Sequence, residues 1–356
     1  MKKYGGGGDG HDEEEEEVPK KKRGAPKPRA PPKPRRTRKK LDDFTGDIKT
    51  LGDFITMIDE GVCYKNIDIP LLTTIREELF ELNQMIGLDS IKTSVLEQLI
   101  FYLQNLHKGS DMYLNTVIYG PPGTGKTTVA KILGRMFSKL KIITFDGEVE
   151  EDEIFECAKR DDLIGEYLGS TCNKTNEFLE MCLGGVMFLD EVYSLGNKEG
   201  SDSFAKEAID TINLFLSEHK EEFMMIVAGY KEEVDQCFFK YNEGLRRRFM
   251  WYHTIEPYKP EQLRDIFLSK VTLTEWKYAP EVPDAMLELI KSNPTVFVDN
   301  AGSIENFMNL TKIKHSKRVL LLAMEHKKVL TVEDLNRAIK DLEKKNKTEV
   351  FMSMYM

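Results

Sequence analysis

The middle of the chain alternates short apolar runs with amphipathic stretches. Runs at residues 116–119, 186–189 and 224–228 are apolar almost throughout and lack the alternation of a half-exposed strand. Such runs indicate strands that are covered on both faces, as in a parallel sheet flanked by helices. With similar runs at 142–145 and 251–255, the pattern predicts an α/β domain.

Helical periodicity replaces this pattern on both sides. Before it, Thr50–Asp53 predicts a capping box ahead of a short helix, and Asp89 is predicted to cap a second helix. The apolar positions of that second helix are Ile91, Val95, Leu99, Leu103 and Leu106. Beyond Pro257 no strand signal remains, which predicts a small helical domain. Its helices are expected to begin near Pro260, near Pro283, at Ser303 (extending to about residue 326) and at the Thr331–Asp334 capping box.

Residues 1–43 differ from the rest of the chain in composition. An acidic block at 12–17 leads into a basic, proline-rich segment at 19–40. Blocks of like charge with few aromatic residues bury too little surface to offset the ordering entropy, so this tail is predicted to be disordered. The run Pro19–Arg23 resembles a nuclear-localisation signal. The basic residues could equally bind RNA, DNA or an acidic protein, or simply be solvated.

Charge is distributed unevenly between the tail and the body. The net charge of −9 combines a tail at +5 with a body at −14, which argues against a wide nucleic-acid groove. No apolar run reaches the roughly 18 residues of a membrane span, and the polar N-terminus does not resemble a secretory signal. The five cysteines include no CxxC pair and the six histidines no HExxH, so we expect reduced thiols in the cytoplasm or nucleus.

The segment 120–127 fits the phosphate-binding loop pattern GxxxxGK[ST]. It follows an apolar run and precedes a helical stretch, so its backbone N–H groups and the helix N-terminus are expected to face the phosphates. Lys126 is predicted to contact the β- and γ-phosphates, and the Thr127 hydroxyl to ligate Mg²⁺. The predicted ATP contacts in this region are Gly120, Pro121, Pro122, Gly123, Thr124, Gly125, Lys126, Thr127 and Thr128.

Two acidic residues follow the apolar run at 186–189. A site built on a phosphate-binding loop also needs a carboxylate at the end of a neighbouring strand, which is where these acids are predicted to lie. We predict that Asp190 holds the Mg²⁺ ion together with Thr127, and that Glu191 orients and deprotonates the attacking water. The alternative is a solvated start of a loop. The cluster Arg246–Arg248 has the charge to stabilise the γ-phosphate, or it forms a basic turn or a docking patch.

Several separated segments resemble the AAA+ ATPases related to red-type rubisco activase and the stage V sporulation protein K. They are residues 119–127, 185–195, 204–211, 226–230 and 242–249, within a resemblance that extends over about residues 85–342. The resemblance implies a P-loop NTPase core with a five-stranded parallel sheet, followed by a small α-helical lid. It also implies that ATP lies in the cleft between them, near Ile86 and Gly87.

The same resemblance implies an oligomer. Family members usually assemble as hexameric rings, in which an arginine finger reaches the ATP of the next subunit, and Arg246 and Arg248 match the finger positions. Members also project an aromatic loop into the central pore, and Tyr167, Leu168 and Gly169 match that loop. The alternative for Tyr167 is a buried ring that packs against the sheet.

Two positions depart from the wider family. Gly229–Tyr230 stands where most AAA+ proteins carry a polar sensor, although the resembling subgroup also reads this way. Gly302 stands where the subgroup tends to carry an arginine, and a missing cation there would weaken the coupling between the γ-phosphate and the lid. A shift of a few residues in the match would nominate Lys312 instead.

The predicted organisation is a tail (1–43), an N-terminal helical segment (44–84), an ATPase core (85–257), a helical lid (258–345) and a C-terminal tail (346–356). The preferred function is Mg-ATP-driven remodelling of a protein client by a homo-oligomeric ring. One alternative is a nucleic-acid-associated ATPase tethered by its basic tail, and another is an ATP-dependent assembly module with weak turnover. The identity of the client does not follow from the fold.

Overall fold

The computed structural model describes residues 43–44, 46–109, 112–140, 142–143, 154–167, 169–322 and 327–353, with side chains to residue 344. The predicted disordered tail therefore lies outside the described residues, except for its last residue, Asp43. Leu168 of the predicted pore loop also lies outside them.

In the part of the chain that the structure describes, the central sheet has five parallel strands in the order β2-β3-β4-β1-β5. This confirms the predicted parallel α/β architecture. The strands are β1 (Asn115–Tyr119), β2 (Phe155–Ala158), β3 (Val186–Leu189), β4 (Met224–Gly229) and β5 (Phe249–Thr254).

Among the described residues, the second strand of the sheet does not lie in the run that the hydrophobic pattern predicted. Ile142 and Ile143 belong to no strand, and the rest of the predicted run at 142–145 lies outside the described residues. The second strand is instead β2, in which Glu156 and Cys157 are exposed. Since β2 is an edge strand, it needs no continuous apolar run, and the sequence pattern therefore missed it.

Alternate residues of the strands pack into two separate cores. Ile118, Phe188 and Ile226 point into a core shared with the helices α1–α5, whereas Val117 and Met187 point into the core beneath α6–α9. The sheet is therefore covered on both faces. These helices are α1 (Leu51–Glu60), α2 (Ile69–Thr74), α3 (Arg76–Gln84), α4 (Asp89–Leu103), α5 (Lys126–Lys139), α6 (Arg160–Leu163), α7 (Thr171–Met181), α8 (Ser203–Glu218) and α9 (Lys231–Cys237).

The N-terminal helices test two sequence predictions about caps. The capping box of Thr50 and Asp53 is present at α1 and is confirmed. The prediction for Asp89 is wrong, because Asp89 is the first residue of α4 and Leu88 holds the cap position at a φ of 62°. Leu106, predicted on the buried face, lies beyond the end of α4 and is exposed.

The C-terminal part forms a helical lid with its own core, around Phe267, Phe307 and Leu335. The prediction that no strand follows Pro257 is wrong, because two strands of two residues pair in parallel, and strands this short leave no periodicity. The lid elements are α10 (Pro260–Leu273), β6 (Lys277–Tyr278), α11 (Val282–Ser292), α12 (Asn300–Arg318), β7 (Val329–Leu330) and α13 (Val332–Ser353).

The start of one lid helix differs from its prediction, and the start of another agrees with it. Helix α12 begins three residues before the predicted Ser303 and ends at Arg318 rather than near residue 326. At the start of α13, the Thr331 N–H donates to Asp334 Oδ2 at 2.9 Å, as the predicted capping box requires.

Within the described ranges no helix is both long and apolar enough to cross a membrane. The predicted domain boundaries stay predictions.

Candidate functional site

The phosphate-binding loop connects β1 to α5, as the motif predicts. Gly123 and Gly125 have φ angles of 66° and 90°, which L side chains rarely adopt. A Cβ atom at Gly123 would lie 1.9 Å from the Asp299 carbonyl oxygen, so only glycine fits between the loop and the lid. Helix α5 is capped by Gly125. The N-terminus of a helix presents N–H groups and a positive dipole end, which suit an anion.

The ammonium group of Lys126, within the loop, contacts a backbone carbonyl oxygen and an aromatic ring. Its Nζ atom donates to the Pro121 carbonyl oxygen at 2.9 Å and lies 4.6 Å from the centre of the Tyr230 ring. Burial lowers the pKa of Lys126, while the nearby Asp190 and Glu191 carboxylates act to raise it. A phosphate group would offer this partly buried ammonium a stronger partner than a single carbonyl oxygen.

Thr127 and Asp190 meet at the start of α5 and the end of β3. The Thr127 hydroxyl donates to Asp190 Oδ2 at 2.6 Å. Both are hard oxygen donors, which suit Mg²⁺ when phosphate oxygens and water complete its shell. Among the residues that the structure describes, no group of three or more His, Cys, Asp or Glu side chains is placed to hold a metal ion.

Glu191 has an unusual backbone conformation. Its φ is 46°, in the left-handed region, which costs a non-glycine residue about 1 kcal/mol. Its N–H donates to Asp190 Oδ1 at 2.9 Å, so the same carboxylate that meets Thr127 also stabilises this turn. The turn brings Glu191 to the wall of the cavity described next.

A cavity of about 650 Å³ is lined by residues of both the phosphate-binding loop and the lid. Nine of the residues predicted to contact ATP or to act in catalysis line it, whereas four of the predicted ATP contacts, Gly87, Gly120, Pro121 and Thr124, do not. Three of these four still shape the loop, because Thr124 Oγ1 donates to Pro121 O at 2.8 Å and a Cβ atom at Gly120 would press on Thr124. The nine are Ile86, Pro122, Gly123, Gly125, Lys126, Thr127, Thr128, Asp190 and Glu191.

The lid is hydrogen-bonded directly to the phosphate-binding loop, which the sequence did not predict. Asn300, buried and at a φ of 53°, donates from Nδ2 to Pro122 O at 3.0 Å and accepts from the Tyr258 N–H at 2.9 Å. The Ala301 N–H donates to Gly123 O at 3.0 Å, and the Tyr258 hydroxyl to Thr124 O at 3.0 Å. These bonds stabilise the first turn of α12, which explains its early start. No local motif signals contacts across such a separation.

Lys92 supports the opposite wall of the cavity. Its Nζ atom donates to Asn83 O at 3.0 Å and to Met85 O at 2.6 Å, just before Ile86. Burial lowers the pKa of Lys92, and nearby Asp89 acts to raise it. The lysine thereby fixes the chain segment that leads from α3 into the cavity wall.

Arg246 and Arg248 lie in a short 3₁₀ helix and do not line this cavity. Arg246 is half-exposed, pairs with Asp235 at 2.6 Å and lies 4.8 Å from the centre of the Phe239 ring. Arg248 is more enclosed, with Nε donating to Ser217 Oγ at 2.8 Å. Neither arginine therefore contacts the site of its own chain.

Tyr167 lies in the segment between α6 and α7, with 74% of the residue exposed. The alternative prediction, a buried ring against the sheet, is wrong. Gly169 has a φ of 85°, and the Ser170 hydroxyl donates to Tyr167 O at 2.7 Å, which closes a tight turn.

The departures from the wider family have a clear structural setting. Tyr230 stacks on Tyr193 with ring centres 5.3 Å apart, and both line the cavity next to Lys126. Gly302 also lines the cavity but contributes no side chain. Lys312 does not line it, because its Nζ atom donates to Thr274 Oγ1 and lies over the Trp276 ring.

The comparisons with known proteins agree with this geometry. Residues 116–250 match the model of the ATPase family associated with various cellular activities (AAA). A putative cfxQ-like protein of Acanthamoeba polyphaga mimivirus is 39% identical over 257 residues, which are 72% of this chain and 62% of that protein. The chloroplastic ribulose bisphosphate carboxylase/oxygenase activase of Cyanidioschyzon merolae is 30% identical, over 69% of this chain and 84% of that protein. Stage V sporulation protein K of Bacillus subtilis is 28% identical, over 73% and 82%.

Solved structures share the fold at low sequence identity. The FIGL-1 AAA domain in complex with ADP aligns with a TM-score of 0.52 and 18% identity, covering 73% of this chain and 83% of that domain. A RuvB mutant of Thermotoga maritima aligns with a TM-score of 0.50 and 15% identity, over 74% and 72%. The chain therefore belongs to the AAA ATPase family, in the subgroup of CfxQ, rubisco activase and stage V sporulation protein K.

Proposed function

We propose that the chain binds Mg-ATP in the 650 Å³ cavity and hydrolyses it. The observation that carries this proposal is the 2.6 Å hydrogen bond between Thr127 and Asp190, in a cavity wall that also contains Lys126 and Glu191. This arrangement brings a phosphate-binding cation, two oxygen donors and a candidate base onto one cavity.

Each of these residues has a distinct part in the proposed reaction. Lys126 and the N–H groups at the start of α5 neutralise charge on the β- and γ-phosphates. Thr127 and Asp190 hold Mg²⁺, which when bound neutralises charge on the phosphate oxygens. Glu191 accepts a proton from the attacking water.

Replacing Lys126 by alanine tests nucleotide binding. We expect the affinity for ATP to fall by about 100-fold, because the charge-assisted bonds to the phosphates are lost from a partly enclosed site. Titration with a fluorescent nucleotide measures the change. Lys131→Ala, an exposed lysine on the same helix, is the matched control and should bind as the parent does. Equal ATP affinity in the Lys126→Ala variant and the parent contradicts the proposal.

We further propose that the protein acts as a homo-oligomeric ring that remodels a protein client. The exposure of Tyr167 on a tight turn supports this, because an aromatic ring in solvent offers a grip on an extended polypeptide that tolerates many sequences. The half-exposed Arg246 outside its own cavity supports a ring in which it reaches the neighbouring site. A hexamer is the ring size that we propose.

Tyr167→Ala should separate hydrolysis from work on the client. Because Tyr167 does not line the cavity, we expect ATP turnover within about twofold of the parent, a change of the size typical of surface substitutions. ATP-dependent unfolding of the client should be lost. The client is first captured with the Glu191→Gln variant in ATP, and its protease sensitivity is then followed with each variant.

The control for that experiment is Met181→Ala, which also truncates an exposed apolar side chain. It should unfold the client at the rate of the parent. Undiminished unfolding by Tyr167→Ala would show that threading does not depend on this ring.

A second candidate is association with nucleic acid through the basic segment 19–40, which lies outside the described residues. The positive charge of the tail favours it, whereas the acidic body does not. The compartment that we propose is the cytoplasm, or the nucleus if Pro19–Arg23 is recognised as a localisation signal.

A further inference from the structure

The lid side of the cavity carries one positive and one negative side chain. Lys270, in the last turn of α10, and Glu305, in the second turn of α12, both line the cavity. Among the described residues of the cavity wall, Lys126 and Lys270 are the only lysines or arginines. The phosphate-binding loop thus supplies one cation to the cavity, and the lid supplies the other.

Lys270 and Glu305 bind each other. Their Nζ and Oε2 atoms are 2.7 Å apart, and the two side chains are 33% and 55% exposed. An ion pair with this exposure is screened by water and contributes little to stability. The pair can therefore open at small cost when a more highly charged partner enters the cavity.

The pair lies on the part of the lid that is anchored to the phosphate-binding loop. Glu305 is one helical turn from Ala301, whose N–H donates to Gly123 O at 3.0 Å. Lys270 comes from the other helix of this wall, so the ion pair joins α10 to α12 next to the loop. A group that separates the pair would change how these two helices are held together.

A triphosphate in this cavity would attract one member of the ion pair and repel the other. Its terminal phosphate attracts the Lys270 ammonium, since charge-assisted bonds to phosphate are stronger than an exposed ion pair. The same phosphate repels the Glu305 carboxylate, because like charges in a partly enclosed site raise the free energy of both. ADP lacks the terminal phosphate and exerts less of either effect.

We propose that Lys270 and Glu305 form a nucleotide-sensing ion pair, in which Lys270 exchanges Glu305 for the γ-phosphate of ATP. This inference rests on the proposed binding of ATP in the cavity. Lys270 thereby supplies a lid cation to a cavity in which Gly302 has no side chain to offer. Lys312 cannot take this part, because it is bound to Thr274 outside the cavity wall.

The test compares the affinities for ATP and ADP in a Glu191→Gln background, where slow hydrolysis permits equilibrium titration. Lys270→Met keeps the aliphatic stem and removes the charge, and Glu305→Gln keeps the shape and frees the lysine. The matched control is Lys291→Met, which breaks another lid ion pair, to Glu261 at 3.1 Å, away from the cavity. Displacement of a fluorescent ADP analogue in the presence of Mg²⁺ gives each Kd.

Lys270→Met should raise the Kd for ATP by about tenfold and the Kd for ADP by less than about twofold. Glu305→Gln should lower the Kd for ATP by about threefold, and this gain should vanish in the double variant. Retained ADP binding shows that each variant is folded. The Lys291→Met control should match the background protein for both nucleotides.

Two results would overturn the inference. One is an unchanged ratio of ATP to ADP affinity in Lys270→Met, and the other is an equal shift of that ratio in Lys291→Met. Lys126→Ala in the same assay separates this failure from failure of the proposed function. If Lys126→Ala weakens ATP binding and Lys270→Met does not change the ratio, only the ion-pair inference is wrong.

Discussion

Glu191→Gln should lower ATP turnover by about 10³-fold and leave ATP affinity within a few-fold of the parent. Glutamine fills the same volume and keeps the backbone turn at a φ of 46°, so the substitution removes the base without removing the turn. Water then lacks an acceptor for its proton, while Lys126, Thr127 and Asp190 remain to hold the nucleotide. Release of phosphate under saturating ATP, together with a nucleotide titration, measures both effects.

The control for this substitution is Glu199→Gln, which removes an exposed carboxylate from the segment that follows the same strand. Its turnover should equal that of the parent. Turnover in Glu191→Gln at the parent's rate would assign the proton transfer to another group. If the parent itself hydrolyses no faster than Glu191→Gln, the chain uses ATP for assembly instead of mechanical work.

The parts of the site that the sequence predicted are contiguous in the chain. The loop 120–127 and the pair Asp190–Glu191 each follow a buried strand, and parallel strands bring their carboxyl ends to one edge of the sheet. Local patterns therefore sufficed to place Lys126, Thr127 and both acids on one cavity.

The parts that the sequence did not predict depend on contacts between distant segments. Asn300 reaches the loop across 178 residues, and Lys270 meets Glu305 across 35 residues on another helix. Neither contact has a periodicity or a fixed spacing that could reveal it. Strand β2 was missed for a different reason. It lies at the edge of the sheet, and because Glu156 and Cys157 are both exposed, it has too few apolar residues to be recognised as a strand.

Arg246→Ala should lower ATP turnover by about 10³-fold without weakening the binding of ATP. Since Arg246 does not line the cavity of its own chain, its loss leaves the local contacts to the nucleotide intact. In a ring it would stabilise charge that develops on the neighbour's γ-phosphate during hydrolysis. Arg247→Ala, an exposed arginine of the same 3₁₀ helix, is the matched control and should retain turnover.

Mixing two inactive variants distinguishes action on a neighbour from a structural effect, since Arg246 also pairs with Asp235. In rings assembled from equal amounts of Glu191→Gln and Arg246→Ala chains, some sites combine an intact Glu191 with a neighbour's intact Arg246. Random assembly makes these about a quarter of all sites, so turnover should recover to about a quarter of the parent's. If Arg246 acts within its own chain or only supports the fold, every site in the mixture lacks one requirement and no activity returns. Turnover of the mixture compared with the two separate variants thus decides whether hydrolysis requires two subunits.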